Sequence, residues 1–197
     1  MKIIEQSVEL VNNINAEEIL AKIERCGRVC YQSEPKGNPE QFIRMLIKRG
    51  HESVLEHVSL TFHIVTSRSI LKELTRHRIA SYSVESTRYV KYDEITVIQP
   101  IGLTNTGFYL WRSGVETAEE YYKLLIRNGE RPETARELLP ECTKTELYMT
   151  ANLREWRHIS KLRTAKAAHP QMRQLAGMIL AVFKDKLPVI VEDIQND

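Results

Sequence analysis

Between Arg76 and Tyr89 the chain places three arginines, one histidine and three serines within fourteen residues, Arg76-His77-Arg78-Ile79-Ala80-Ser81-Tyr82-Ser83-Val84-Glu85-Ser86-Thr87-Arg88-Tyr89. So few apolar side chains cannot build a core element. Guanidinium groups present planar donor forks that match phosphate oxygens, and serine hydroxyls with loop N–H groups can complete an anion cradle. The chemistry indicated is recognition of a phosphate or nucleotide. The same groups can grip a nucleic-acid backbone, so residue type alone leaves both readings open.

Charge is not spread evenly. The whole chain carries 28 basic and 26 acidic residues, a net +2. Lys72 to Lys91 holds five basic and two acidic residues (+3), and Asn152 to Arg173 holds six basic and one acidic (+5), leaving −6 for the remainder. Two basic segments in an otherwise acidic chain point to convergence on an anionic ligand, and a pair of solvated basic faces is the simpler alternative. Neither a G-x-G-x-x-G nor a G-x-x-x-x-G-K pattern occurs, so a nucleotide must be held by another device.

Metal chemistry finds no matching spacing, and none is expected. Cys26 and Cys30 lie one helical turn apart without a second Cys or His pair at ligand spacing, and read as small half-buried apolar residues. His51-Glu52 is followed by His57 six residues after His51, not four as a zincin pattern requires. His63 reads as an outward polar residue of a strand.

The elements that must position these groups can be read from periodicity and caps. Asn15-Ala16-Glu17-Glu18 forms a capping box that opens a helix to about Cys30. Asn38-Pro39 opens a second, closed by Gly50. Alternation of Val58, Leu60, Phe62 and Ile64 with Ser59, Thr61, His63 and Val65 predicts a strand with one buried face. A short helix over 68–75, capped by Ser67, then delivers the chain to Arg76. Strands are expected at 95–99 and 145–151, and helices at 116–128, 132–140 and 152–162. A last helix opens at Pro170 with Met172, Leu175, Ala176, Ile179 and Phe183 on its core face. This pattern predicts an α+β fold, a small and mostly antiparallel sheet covered by helices.

At 197 residues and 42% hydrophobic content, residues 1–197 suffice for a single domain with a real core. No stretch approaches the roughly 20 apolar residues of a membrane span. Glu5 falls where a signal peptide would continue apolar, and three cysteines fit a reducing compartment, so a soluble cytoplasmic protein is expected.

The order R-H-R, seven residues, S, one residue, R-Y, with Ser81 in the interval, resembles the defining motif of flavin-dependent thymidylate synthases. Gly50-His51-Glu52-Ser53 followed by Glu56-His57 is similar to that family's upstream segment. Ala135-Arg136 before Leu139-Pro140, then Asn152, Arg154 and Arg163, are similar to its downstream nucleotide-binding stretch. The resemblance covers roughly residues 40 to 185.

The resemblance implies an FAD enzyme that is reduced by NADPH and methylates dUMP to dTMP with 5,10-methylenetetrahydrofolate as carbon donor. It places Ser53, Arg76, His77, Arg78, Asn152, Arg154 and His158 on FAD. Glu73, Arg76, Ser86, Thr87, Arg88, Arg136 and Arg163 fall to dUMP. Arg163 is the implied polariser of the uracil ring and Ser86 the residue that orients it. FAD brings a pyrophosphate and dUMP a monophosphate, so such a site is expected to gather cations and keep carboxylates away. The resemblance implies a homotetramer with shared active sites, and no nucleic-acid or membrane partner is expected for this chain. The chain departs from the common pattern at Glu73, Ser83, Val84 and His158. Alternatives are a flavin-binding member without synthase activity and a non-enzymatic phosphate- or nucleic-acid-binding module.

Overall fold

The computed structural model describes residues 1–35 and 37–194. Four strands, β2 (Ser7–Leu10), β3 (Ser59–Ser67), β4 (Ala80–Val84) and β6 (Lys144–Asn152), form one sheet in the order β2-β3-β6-β4. Its partners run in opposite numerical directions. Gln6 meets Thr66 and Val11 meets Thr61 on one seam, and Arg68 meets Thr143 and Leu153 meets Val58 on the next, so the sheet is antiparallel. A separate pair, β1 (Lys2–Ile4) and β5 (Thr96–Ile98), is parallel, with Ile3 opposite Val97. The fold is α+β, as the sequence predicts.

By internal packing the chain divides into two compact units. The first comprises Met1–Ser7, Ile64–Arg76 and Ser83–Leu147, and the second Val8–His63, His77–Tyr82 and the chain from Tyr148.

In the second unit, α1 (Ala16–Tyr31) opens on Asn15, whose side chain accepts from Glu18 N at 3.3 Å. Helix α2 (Pro39–Lys48) opens on Asn38 and closes before Gly50, at φ +74°. The two helices approach so closely that a Cβ on Gly27 would lie 2.8 Å from the Phe42 ring. A 3-10 turn, Glu52–His57, then leads into β3. Helix α6 (Leu153–Arg163) is pinned by the Trp156 indole, which donates to Leu60 O at 3.1 Å. The Trp156 ring meets Phe62 edge-on at 4.9 Å, and Phe183 of α7 (Pro170–Lys186) completes the cluster. The expected stripe Met172, Leu175, Ala176, Ile179 and Phe183 is buried.

In the first unit, α3 (Arg68–Leu74) is capped by Ser67, which accepts from Ile70 N. Helix α4 (Asn105–Arg127) and the short α5 (Pro132–Ala135), continued by a 3-10 turn at Arg136–Leu138, enclose a core of Ile95, Val97, Val115, Tyr122 and Ala135.

Three strands escaped the sequence reading. β1 and β2 are too short to show a period, and β4 lies inside the Arg76–Tyr89 motif. Ala80, Tyr82 and Val84 alternate with Ser81 and Ser83 over only five residues, too short a run to stand out, and with no buried face sheet pairing at the edge holds the strand. Helix α4 begins at Asn105 rather than Glu116, because Thr104 caps it by accepting from Gly107 N. Its first turns are largely exposed and carry Gly107 and Gly114, which weakens both the periodic and the propensity signals.

Candidate functional site

In the second unit, Asn152, Arg154 and His158 line one cleft of about 490 Å³ together with Glu52, Glu56, Ile79 and Glu155. The start of α6 builds this wall. Asn152 is its N-cap, accepting from Glu155 N at 2.9 Å, which aims Arg154 and His158 outward from the first turns. The opposite residues come from the 3-10 turn that also carries Ser53, which is exposed. The expectation of a carboxylate-free site is not met here. Three glutamates line the cleft, and Glu56 pairs with Arg154. A linear count of charge hid them, because Glu52 and Glu56 lie outside both basic segments and are folded against one of them.

His77 is the buried centre of a hydrogen-bonded chain. Its ring is 5% exposed, with Nδ1 3.2 Å from Glu155 Oε1 and Nε2 3.1 Å from Arg163 Nε. An arginine Nε–H only donates, so His77 Nε2 accepts, and the remaining proton sits on Nδ1 and is donated to Glu155. Tyr82 fixes the backbone by donating its hydroxyl to His77 O at 2.6 Å. Burial, reinforced by Arg163 and His158, lowers the imidazole from 6.5 to about 4. Burial also raises the Glu155 carboxyl, which His158 opposes. His77, Glu155 and His158 offer ligand atoms within 4.8 Å of one another. Both nitrogens of His77 are nevertheless engaged, one of them by a cation, and a guanidinium at that position opposes a metal ion. The geometry is that of an orienting relay for Arg163.

The lowered His77 value has a pH consequence. The unfolded chain protonates this ring near 6.5 and the folded chain does not, so stability falls as pH drops from about 6.5 toward 4. Urea unfolding of wild type should show a loss between pH 7 and pH 5 that exceeds the loss in His77→Asn by roughly 1 to 2 kcal/mol. Equal losses would contradict a neutral buried His77.

The first unit gathers the other group. Arg136 Nη1 and Arg68 Nη1 each approach Thr87 Oγ1 at 3.5 Å, and Thr87 is 4% exposed. Ser86 Oγ accepts from Arg88 N at 3.4 Å, and Ser86 O accepts from Tyr89 N and Val90 N, so Ser86 to Val90 is a tight turn. The Arg88 side chain extends to Glu133 at 3.9 Å. Arg76 is exposed at the end of α3 and Glu73 is half-buried on it, whereas Arg78, in the second unit, is exposed beside Ile79.

The sequence does not single out Arg68, because it opens a helix whose clearest signal is the apolar side formed by Ile70 and Leu74. Its signal was position, directly after the Ser67 cap at the end of β3. Glu155 was missed as the lone acid in a basic segment, although Glu155-x-x-His158 places both on one helix face.

Comparison with known proteins identifies the family and the fold. The thymidylate synthase complementing protein (Thy1) family matches residues 9–189. The chain is 36% identical to the flavin-dependent thymidylate synthase of Mycobacteroides abscessus, covering 88% of this chain and 78% of that one. It is 32% identical to the same enzyme of Corynebacterium aurimucosum, covering 95% and 85%. The crystal structure of the UMP/dUMP methylase PolB from Streptomyces cacaoi bound with 5-Br dUMP superposes with a TM-score of 0.86 at 26% identity, over 98% of this chain and 96% of that one. Motif, fold and relatives agree: the chain belongs to the Thy1 family of flavin-dependent thymidylate synthases.

Proposed function

We propose that residues 1–197 act as one FAD-dependent thymidylate synthase domain, converting dUMP to dTMP with 5,10-methylenetetrahydrofolate as carbon donor and NADPH as reductant. The observation that carries this reading is the meeting of Arg68 and Arg136 on the buried Thr87 hydroxyl, beside Ser86 and Arg88, in a chain of this family. Two guanidinium groups on one hydroxyl leave a concentrated positive field suited to a monophosphate. Glu73, Arg76, Ser86, Thr87, Arg88, Arg136 and Arg163 are proposed to hold dUMP.

The cofactor is assigned to Ser53, Arg76, His77, Arg78, Asn152, Arg154 and His158. The cleft fits part of such a group, because its volume lies in the range of small-molecule sites and amide, guanidinium and imidazole donors face its carboxylates. A ribose or ribityl hydroxyl suits Glu52 and Glu56 as acceptors, and Arg154 suits a phosphate. When bound, the flavin supplies hydride chemistry. The chain's own contribution is orientation and charge. Arg163, held through Nε by His77, presents its guanidinium in a fixed plane, and a guanidinium set against a uracil carbonyl stabilises the negative charge that develops there.

Ser86 is assigned to orienting the pyrimidine, since its hydroxyl accepts from the Arg88 backbone N–H within the turn and an unassisted hydroxyl is a weak nucleophile. Ser86→Ala should retain measurable turnover, reduced on the order of 10-fold, as for loss of one neutral hydrogen bond. Complete loss with unchanged dUMP affinity, read by steady-state kinetics and calorimetry, would instead make it a nucleophile.

A homotetramer with shared active sites and a cytoplasmic location belong to the same proposal. Among the described residues no helix is long and apolar enough to cross a membrane. A second substrate reading, acceptance of UMP, is motivated by the methylase from Streptomyces cacaoi, whose structures hold 5-Br dUMP and 5-Br UMP. The test is the visible spectrum of the purified protein after FAD addition, followed by anaerobic NADPH oxidation with dUMP, with UMP and with neither. Flavin uptake and NADPH oxidation stimulated by dUMP are expected. A protein that takes up no FAD would overturn the reading.

A further inference from the structure

Glu85, the residue between β4 and Ser86, is 14% exposed in its side chain, and each of its carboxylate oxygens has its own donor. Tyr92 donates its hydroxyl to Oε1 at 2.9 Å and Lys144 donates Nζ to Oε2 at 3.0 Å. Glu85 N also donates to Glu146 O at 2.9 Å, and Lys144 reaches the Glu146 carboxylate at 3.0 Å, so the group is anchored to β6. Tyr92 is held in turn, its backbone N donating to the Tyr122 hydroxyl at 3.3 Å. The Tyr92–Glu85 bond therefore closes a loop whose interior is the turn Ser86-Thr87-Arg88.

We propose that Tyr92, Glu85 and Lys144 form a clasp that presets this turn for a nucleotide monophosphate, with Lys144 cancelling the Glu85 charge that would otherwise repel it. These are positioning residues. The proposal rests on the reading of Ser86–Arg88 as the dUMP turn. A loop of this length left open samples many conformations, and ordering it on binding lowers affinity. The carboxylate adds a second, electrostatic effect. It lies next to the turn, so removing its cation leaves a negative charge facing the ligand phosphate at low local dielectric. Burial and the Glu85 carboxylate both raise the Tyr92 phenol, so it remains a donor throughout the physiological range.

The two effects separate experimentally. Binding of dUMP and of deoxyuridine, which lacks the phosphate, is measured by calorimetry on the flavin-loaded protein, with dTMP formation measured in parallel. Tyr92→Phe should weaken dUMP binding and raise its KM about 5-fold to 10-fold with kcat nearly unchanged, as expected for one lost hydrogen bond. Lys144→Met should weaken dUMP by about 10-fold or more and leave deoxyuridine within 2-fold. The double variant Lys144→Met with Glu85→Gln removes the unpaired charge and should recover most of the dUMP affinity. Wild type that binds dUMP alongside single variants that bind it equally well would overturn the clasp alone. Parallel weakening of dUMP and deoxyuridine by Lys144→Met, without recovery in the double variant, would also overturn it. Wild type that binds no dUMP would overturn the nucleotide reading and the clasp together.

Discussion

Arg163→Ala should abolish dTMP formation, lowering kcat by about 100-fold to 1,000-fold or more, while the protein keeps its flavin. Loss of one preorganised donor aimed at developing negative charge has effects of that size. The structure adds the reason for preorganisation. Arg163 ends α6, is half-buried, and donates Nε to His77 Nε2 at 3.1 Å, and His77 is itself locked by Glu155 and Tyr82. A flexible arginine would have to be ordered at each turnover, whereas this one is held by a neutral imidazole that burial keeps from competing for the same proton. Arg163→Lys should restore little, because a point ammonium cannot present two parallel donors while retaining the His77 contact. The measurement is single-turnover dTMP yield together with the flavin spectrum. Full turnover in Arg163→Ala would remove this residue from the chemistry, and loss of flavin along with activity would reassign it to the cofactor.

Arg157→Leu should be the most destabilising single change outside the site, costing about 3 to 5 kcal/mol, as is typical when one partner of a buried ion pair is removed. Arg157 is 1% exposed and binds Asp193 at 2.7 Å, Glu52 at 3.1 Å and the carbonyl of Ile190. It thereby ties α6 to the turn that carries Ser53 and to the last described segment. Its loss leaves Glu52 and Asp193 without their main cation, although Lys161 lies within 3.8 Å of Glu52 and 3.4 Å of Asp193. For a chain of this size the melting temperature should fall by about 10 °C. A shift under about 2 °C would show that the network is not structural. The hydrogen bond from Arg157 is also the main reason that Asp193 is lowered to about 2. Its contribution is therefore present above the ordinary aspartate value and is lost as pH falls toward 2, so the variant should show a weaker acid-induced loss.

Much of the fold was legible because its signals are local. Asn15, Asn38 and Ser67 act as the N-caps expected of them, the helix expected from 152 starts there with Asn152 as its cap, and the Met172–Phe183 stripe is core. Alternation over 58–65 marked β3 because one face is buried. What escaped was held by non-local pairing. β4 is a five-residue edge strand with no buried side chain, and the parallel pairing of β1 with β5 joins residues more than 90 positions apart. The site followed the same division. The motif exposed the arginines and serines, since type and spacing are sequence properties. The carboxylates among them were not visible, because Glu52, Glu56 and Glu155 meet only through the contact of a turn with a helix start, and Lys144 meets Glu85 only across two strands. A charge count along the chain cannot register such pairings, and for that reason the expectation of a site free of carboxylates failed.

The reaction proposed for this chain, with FAD, is transfer of a one-carbon unit to dUMP and its reduction to the methyl of dTMP. The most direct test is chromatographic detection of dTMP from anaerobic mixtures of the flavin-loaded protein, NADPH, methylenetetrahydrofolate and dUMP, with each component omitted in turn. The expected result is dTMP only in the complete mixture, and in the Arg163→Ala variant a yield lower by about 100-fold or more. Flavin binding and NADPH oxidation without any dTMP would contradict it, and would identify instead a flavoprotein of this family that lacks synthase activity.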